Sequence, residues 1–526
     1  MTTTSIAADV ASRSRFVGSA KVISGLTLIS RVLGLVRDML SGYVFGAGSV
    51  MSAFSIGFQI PNLFRRLFGE GALSASSIPI LSEQLHRGGP EAVDRLAGRL
   101  LGSLLLVLGG LTVLGELVVL VLRPLLVNTE RDVLTFGLTA LLLPYMVPIC
   151  AAAILGGIQN VLGQFAVPAA NPVVLNLFMI AALLAARPLF GADREAQVYL
   201  LAVSVLVSGA FQLAWQWRSA RRCGLRLGLA IDTGDEALRR IARAMVPMTV
   251  GLGVVQLNAL VDQVMAYGLI RSHEGGPAVL YFAQRLYQFP LGVFAIAVAT
   301  AIFPALSRHA AAGDQEAMAQ DLSRGLRLVL FEGLPCSVGL ILVREPLIEA
   351  LLQRGAFDAT ATDRVARTLI AYSAGIWAFG LNQVSVRGFY AAGDRLTPLR
   401  LAAWMVGLNF VLNLALVVLL EEAGLALSTT ICAAIQVAWL FRVMSRKVGR
   451  LPWRPIAVSA IRTAALTAVM AAVVVAADRF LWTEWPVYAR SSLLRLTVMC
   501  TLGAAAYVAA AVLLRCPELR EVVRGR

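Results

Sequence analysis

The sequence predicts an all-α, polytopic membrane protein, and three observations predict it. The 526-residue chain is 58% hydrophobic and only 15% charged, with a mean hydropathy of +0.76, whereas a soluble protein carries about 25% charged residues. Apolar windows long enough to cross a hydrocarbon core of about 30 Å recur to the end of the chain. Examples are residues 100–122, 456–477 (interrupted by Arg462) and 496–514. These runs do not alternate every second residue, as a transmembrane β-barrel would require.

About fourteen spans of roughly 20–28 residues are expected. Their centres fall near Leu33, Asn62, Val107, Pro144, Leu177, Val205, Gly253, Val293, Leu330, Ile376, Leu408, Ala434, Leu466 and Ala505. The N-terminus is polar and short and lacks the apolar core and small-residue cleavage site of a signal peptide, so the first helix reads as a retained span. The polar connection 344–367 has an apolar part, 347–352, too short to span; it reads as a short interfacial helix plus a turn, or as a plain loop.

Loop charge sets the orientation. The net charge is +15, which in a soluble protein would suggest nucleic acid. Here the arginines gather in alternate loops, such as Arg218–Arg243 and Arg442–Arg454, while the opposite loops are poor in excess base. That is the positive-inside pattern, and it accounts for the charge without nucleic acid. An even span count then places both termini in the cytoplasm. The six cysteines form no CxxC pair, and the three histidines, His86, His273 and His309, lie far from any Cys or acidic cluster, so no metal site is expected. No GxSxG, HExxH or Walker loop stands in a plausible context, which argues against an enzyme.

Residues 30–82 are the least ordinary stretch. They carry Arg31, Arg37, Asp38, Arg65, Arg66 and Glu70 within long apolar runs. A charge at membrane depth costs about 2.5–3.5 kcal/mol on insertion scales. Four arginines and two acids cannot all neutralise one another, so surplus positive charge is expected to line a cavity that receives an anion. Arginine suits that task because its fork matches phosphate oxygens bidentately. Arg31 and Arg37 fall on different faces of an ideal helix and converge only if it bends, which Gly25, Gly34 and Gly42 allow. Arg66 and Glu70 are spaced to pair, leaving Arg65. Arg285, before Pro290, is a further buried cation, and Asp262 is a lone acid that either partners an arginine or binds a coupling cation. Glu116 has no evident partner in the sequence.

A faint internal repeat accompanies these charges. SIPILS (77–82) and IFPALS (302–307) share Pro-x-Leu-Ser after arginine-bearing helices, with Pro79 and Pro304 225 residues apart. Repeated halves are common in transporters. The expected organisation is an N-terminal six-helix lobe (1–230), a C-terminal six-helix lobe (231–450), and two further helices with a short tail (451–526).

At these residues the chain resembles the MviN/MurJ family of lipid II flippases, within the multidrug/oligosaccharidyl-lipid/polysaccharide exporter superfamily. The matching segments include SRVLGLVRD (30–38), FGAG (45–48), PNLFRRLFGEGALS (61–74), QRLYQFPLGV (284–293), RGAFDA (354–359) and GFYAAGDRLTP (388–398). The resemblance implies two lobes around a central cationic cavity and a lipid-facing groove formed by the last two helices. It implies that Arg31, Arg37, Arg65 and Arg285 hold the diphosphate of an undecaprenyl-linked glycopeptide, supported by Arg66, Glu70, Ser52 and Asp262. Departures from the family pattern are Ser52 where an acid is usual, Gln59 for a cation, and Gln284 for an acid before Arg285.

The expected function is therefore translocation of lipid II across the bacterial cytoplasmic (inner) membrane by alternating access, without covalent chemistry. No cofactor is expected, and coupling to membrane potential or to a cation is left open. Expected partners are lipid II, membrane lipids and cell-wall synthesis proteins. The alternatives are export of another undecaprenyl-linked glycan and a non-transporting cell-wall scaffold.

Overall fold

Helix is the only regular structure among the described residues of the computed structural model, which are 3–232, 234–270, 274–447, 451–484 and 491–524. Side chains of 3–20, 69–75, 247, 250–252, 255, 447, 482–484 and 524 fall outside that description, and so does His273. The chain divides into two compact units, Met1–Leu260 and Val261–Arg526.

The first unit opens with α1 (Thr3–Phe45) and α2 (Ser49–Phe64), joined by a turn at Gly46. A π-helical turn, Arg65–Gly71, leads into α3 (Ala72–Leu126). Gly89, at φ +65°, breaks α3 in two; a side chain there would be strained, and Pro90 directly after it cannot donate to the preceding turn. Next come α4 (Glu130–Leu142), α5 (Met146–Val161), α6 (Ala166–Phe190) and α7 (Arg194–Arg222). Helix starts follow the sequence: Thr129 and Asp132 form a capping box on α4, and the Asp193 carboxylate accepts from the first turn of α7. In this unit α1 packs on α6, α6 on α7, α2 on α4 and α3 on α5. Buried amides tie α5, α6 and α7 together: Ser219 donates to Gln159 (2.7 Å), Gln159 to the Gln216 carbonyl (3.1 Å), and Gln216 to Asn171 (3.1 Å). Polar contacts of this kind hold helices together where lipid gives no hydrophobic drive.

The segment after α7 is strapped to α3. The Leu227 amide donates to Asp94 (2.9 Å) and the Ala230 amide to the Gly98 carbonyl (3.4 Å). Arg99 pairs with Asp232 (3.2 Å) and with Asp235. The strap lies so close that a Cβ on Gly98 would collide with the Gly228 carbonyl. Asp235 then begins α8 (Glu236–Leu269), accepting from the Leu238 amide at 3.1 Å.

The second unit holds the end of α8, then α9 (Gly276–Val293), α10 (Ala295–Ala311), α11 (Gln315–Leu342) and the short α12 (Arg344–Leu351). After them come α13 (Ala359–Ser373), α14 (Ile376–Ala391) and α15 (Leu396–Lys447), which folds back at Glu421 (φ +51°). The last elements are α16 (Trp453–Glu484), α17 (Ser492–Leu513) and α18 (Pro517–Arg524). The connection 344–367 contains the expected short helix, α12, but residues 359–367 belong to α13. The Asp358 carboxylate accepts from the Ala361 amide (2.7 Å) and starts that helix. At its far side Arg364 reaches the Glu274 carbonyl (2.9 Å) and the buried Glu422. α16 and α17 pack on each other, and α16 on α11. Charges clamp α18 there: Arg324 to Glu521 (2.8 Å), and Arg327 to Glu518 (3.4 Å), which is only 2% exposed.

Nine helices among the described residues are long and apolar enough to cross a membrane, or ten with the bent α13–α14 pair. Two of these, Ser76–Leu126 and Leu396–Arg446, contain the breaks at Gly89 and Glu421 and so hold two runs each. Large apolar side chains stand outward on them, Val418 and Leu513 at 81% exposure, which water would not tolerate in bulk and lipid does.

Two predictions follow from the strap. Gly98→Ala is expected to cost about 1–3 kcal/mol by overpacking, read as a lower Tm in detergent and faster tryptic cleavage at exposed Arg226; Gly109→Ala, in open space, is expected to change neither. Burial pushes the Asp235 carboxyl up, but donation from Leu238, from Arg99 and from the Ala237 amide outweighs it and holds the group below its ordinary value. A depressed carboxyl stabilises above its unfolded pKa and loses that contribution as pH falls through the folded value. The Tm in detergent is therefore expected to fall below about pH 4, and that fall to lessen in Asp235→Asn.

Candidate functional site

Ionisable groups inside apolar helices mark the site, because each needs a stated reason to be there. Arg37 and Asp38 are 7% and 6% exposed. The Arg37 guanidinium donates to Asp38 through Nε (2.9 Å) and Nη2 (2.6 Å), and through Nη1 to Asn176 of α6 (2.9 Å). Asn176 in turn donates to the Ser30 carbonyl (3.0 Å). This network fastens α1 to α6. Arg31, less than two turns earlier, is exposed and makes no hydrogen bond or ion pair among the described residues. α1 runs unbroken through both, so the two arginines keep the separate faces that helix geometry gives them.

Arg65 and Arg66 stand on the π-helical turn, both half-buried. An i→i+5 turn is rare and is found most often at functional sites. Arg65 Nε donates to Asn62 (3.0 Å), and Arg66 Nη1 to Gln256 of α8 (3.0 Å). The Glu70 side chain, the expected partner of Arg66, falls outside the described residues. Ser52, fully buried, donates back to the Gly48 carbonyl of its own helix (3.0 Å), and Gln59 is half-buried one turn before Leu63.

In the second unit Arg285 lies over the Tyr281 ring, its guanidinium carbon 4.9 Å from the centroid, a cation–π contact. The preceding residue, Gln284, donates to the Tyr372 hydroxyl (3.1 Å), and Tyr287 stacks on Tyr372 at 4.7 Å. Thus α9 is held against α13 by neutral groups on either side of its arginine.

Asp262 is 2% exposed. It accepts from Asn413 (2.6 Å) and from Thr429 (3.4 Å). Asn413 also donates to Asn409 (2.9 Å), and Ser428 reaches Asn413. The fold-back of α15 makes this cluster, since Asn409 and Asn413 precede Glu421 while Ser428 and Thr429 follow it. Its oxygens come from one carboxylate, two amides and two hydroxyls, a set suited to a hard cation. Sequence reading found the acid but not its neighbours; the available signal was Asn409 and Asn413 one turn apart in an apolar run.

The comparisons with known proteins bear on this arrangement. The family model described as Lipid II flippase MurJ matches residues 42–496. The chain belongs to the MurJ family. It is 34% identical over 441 residues to the probable lipid II flippase MurJ of Rhizobium tropici, covering 82% of this chain and 81% of that one. It is 32% identical to the probable lipid II flippase MurJ of Vibrio cholerae, covering 96% and 97%. Among solved structures, "Lipid II flippase MurJ, inward closed conformation" covers 94% of this chain and 98% of its own at a TM-score of 0.75 and 23% identity. An inward-facing MATE family transporter of the MOP superfamily covers 82% of this chain and 98% of its own at a TM-score of 0.67 and 14% identity. Those two likenesses establish the all-α fold. The family match and the relatives make the chain a multi-pass membrane transporter rather than an enzyme.

Proposed function

We propose that this MurJ-family protein translocates lipid II across the bacterial inner membrane by alternating access. The observation that carries the reading is the family match over 42–496 in a chain that keeps arginines inside apolar helices. Lipid II carries a diphosphate between its prenyl tail and its glycopeptide. Translocation needs no bond made or broken; it needs binding groups that replace water around that diphosphate and then release it. Guanidinium groups do this through paired N–H donors. In this reading Arg31, Arg65 and Arg285 bind the diphosphate, Arg66 supports Arg65, and Arg37, already engaged with Asp38 and Asn176, positions α1.

The proposed organisation is two six-helix lobes, 1–230 and 231–450, with the last two helices giving the prenyl tail an apolar face. Both termini are proposed to be cytoplasmic, and the distribution of arginine in the loops supports that reading. Asp262, Asn409, Asn413 and Thr429 are proposed to hold the coupling cation. Cell-wall synthesis proteins that make and consume lipid II are the proposed partners.

Replacing Arg65 or Arg285 with Ala is expected to abolish growth rescue of cells depleted of their own flippase, at unchanged protein level. Normal growth with both variants would sink the proposed binding role. Asp262→Asn is expected to keep the protein folded while removing the sodium dependence of lipid II transport in vesicles; transport that follows membrane potential alone, with or without sodium, would remove the cation from the scheme.

A further inference from the structure

Glu332 has no part in the scheme above, yet it sits within the membrane-crossing helix α11. Its Oε2 is buried without a hydrogen-bond partner. It lines a narrow cleft of the second unit, walled by Pro290, Leu291, Phe294 and Ala295 and by Ile376 of α14, with Cys336 one turn along α11. The first four belong to the place where α9 stops at Val293 and α10 begins at Ala295. Pro290 has no N–H to give the preceding turn, so this junction is held by fewer backbone bonds than an unbroken helix.

The surroundings select the ligand. Among the described residues no charged group acts on the Glu332 carboxyl. The α9, α10 and α14 walls are apolar, and α16 meets this stretch of α11 through Leu466 and Met470. On α17, Tyr507 spends its hydroxyl on the Phe331 carbonyl at 2.6 Å. The titratable neighbour is Cys336. The cleft leaves about 10 Å³ to the centre of a water molecule, the lower end of the 10–15 Å³ that one water needs. An organic ligand needs about 300 Å³ or more. A metal cation needs several oxygen ligands, and these walls offer one carboxyl. A proton, carried by one water, is what fits.

We propose that Glu332 is a proton-binding site that governs the α9–α10 junction. Protonated, the carboxyl is neutral and lies against the apolar wall, and the cleft stays shut. Ionised, it has no cation among the described residues to answer it and must draw water in, which parts α11 from the junction at its weakest point. The inference concerns this chain's own motion and stands whether or not lipid II is the cargo.

The test uses the full chain in lipid nanodiscs with isotope-labelled glutamate. Infrared difference spectra between acid and alkaline pH are expected to contain a protonated-carboxyl band that is missing in Glu332→Gln. Hydrogen exchange in 290–296, corrected for its intrinsic pH dependence, is expected to quicken severalfold as that band disappears. It is expected to stay at the slow, acid level in Glu332→Gln and to keep its transition in Glu332→Asp. A band that persists in Glu332→Gln, or exchange indifferent to pH, overturns the proposal. A titration that moves when sodium replaces choline makes the site a cation site and overturns it equally.

Discussion

A charged side chain inside an apolar helix must be answered by an oxygen or by a ring, and this structure is assembled around those answers. The insertion cost of about 2.5–3.5 kcal/mol per charge is of the order of what a broken buried pair costs, about 3–5 kcal/mol. A guanidinium that finds partners therefore fixes whatever elements carry them. Arg37 fixes α1 on α6 through Asn176. Arg364 fixes α13 to the fold-back of α15 through Glu422. Arg327 and Arg462 fix α18 through one buried carboxylate, Glu518. In each case the pair closes a contact that apolar surface alone would leave loose, since lipid competes for that surface on equal terms.

The same constraint gives the interrupted helices their meaning. In the first unit Pro61 precedes the π-helical turn that starts at Arg65; in the second, Pro290 precedes the break at Phe294. Arg65 and Arg66 stand on the first interruption, and Arg285 stands just before the second. After each comes a helix carrying Pro-x-Leu-Ser, at Pro79 and Pro304. The short sequence repeat is thus the visible end of a larger structural one: proline, interruption, cation and a second helical run.

Much of the fold was legible because the forces that set it act on composition. Apolar length marked the long spans, while the caps at Thr129, Asp193 and Asp358 rest on side-chain contacts with the first turn. What was not legible depended on contacts far apart in the chain. Nothing local tells that Asp262 will meet Asn413, or Arg66 Gln256, because both partners are neutral amides that read as minor interruptions of an apolar run. The start of α13 carries Asp363, Arg364 and Arg367, and its charges hide a helix whose Arg364 is largely buried against Glu422. A single acid in a long helix, such as Glu332, resembles one that snorkels to the surface.

Two positions that the sequence resemblance reads as departures from the family's pattern carry neutral hydrogen bonds in the structure. Ser52 bonds to its own helix and Gln284 to Tyr372. Each position is thereby satisfied by a neutral hydrogen bond. Residues 30–82 hold four arginines against two acids. An ion pair in that region would have to be broken before a diphosphate could bind, at the cost of exposing both partners. A neutral amide or hydroxyl imposes no such exchange. In the proposed reading, neutral groups at Ser52 and Gln284 make a site that binds an anion more readily and releases it less readily, so that release comes from movement of the helices themselves.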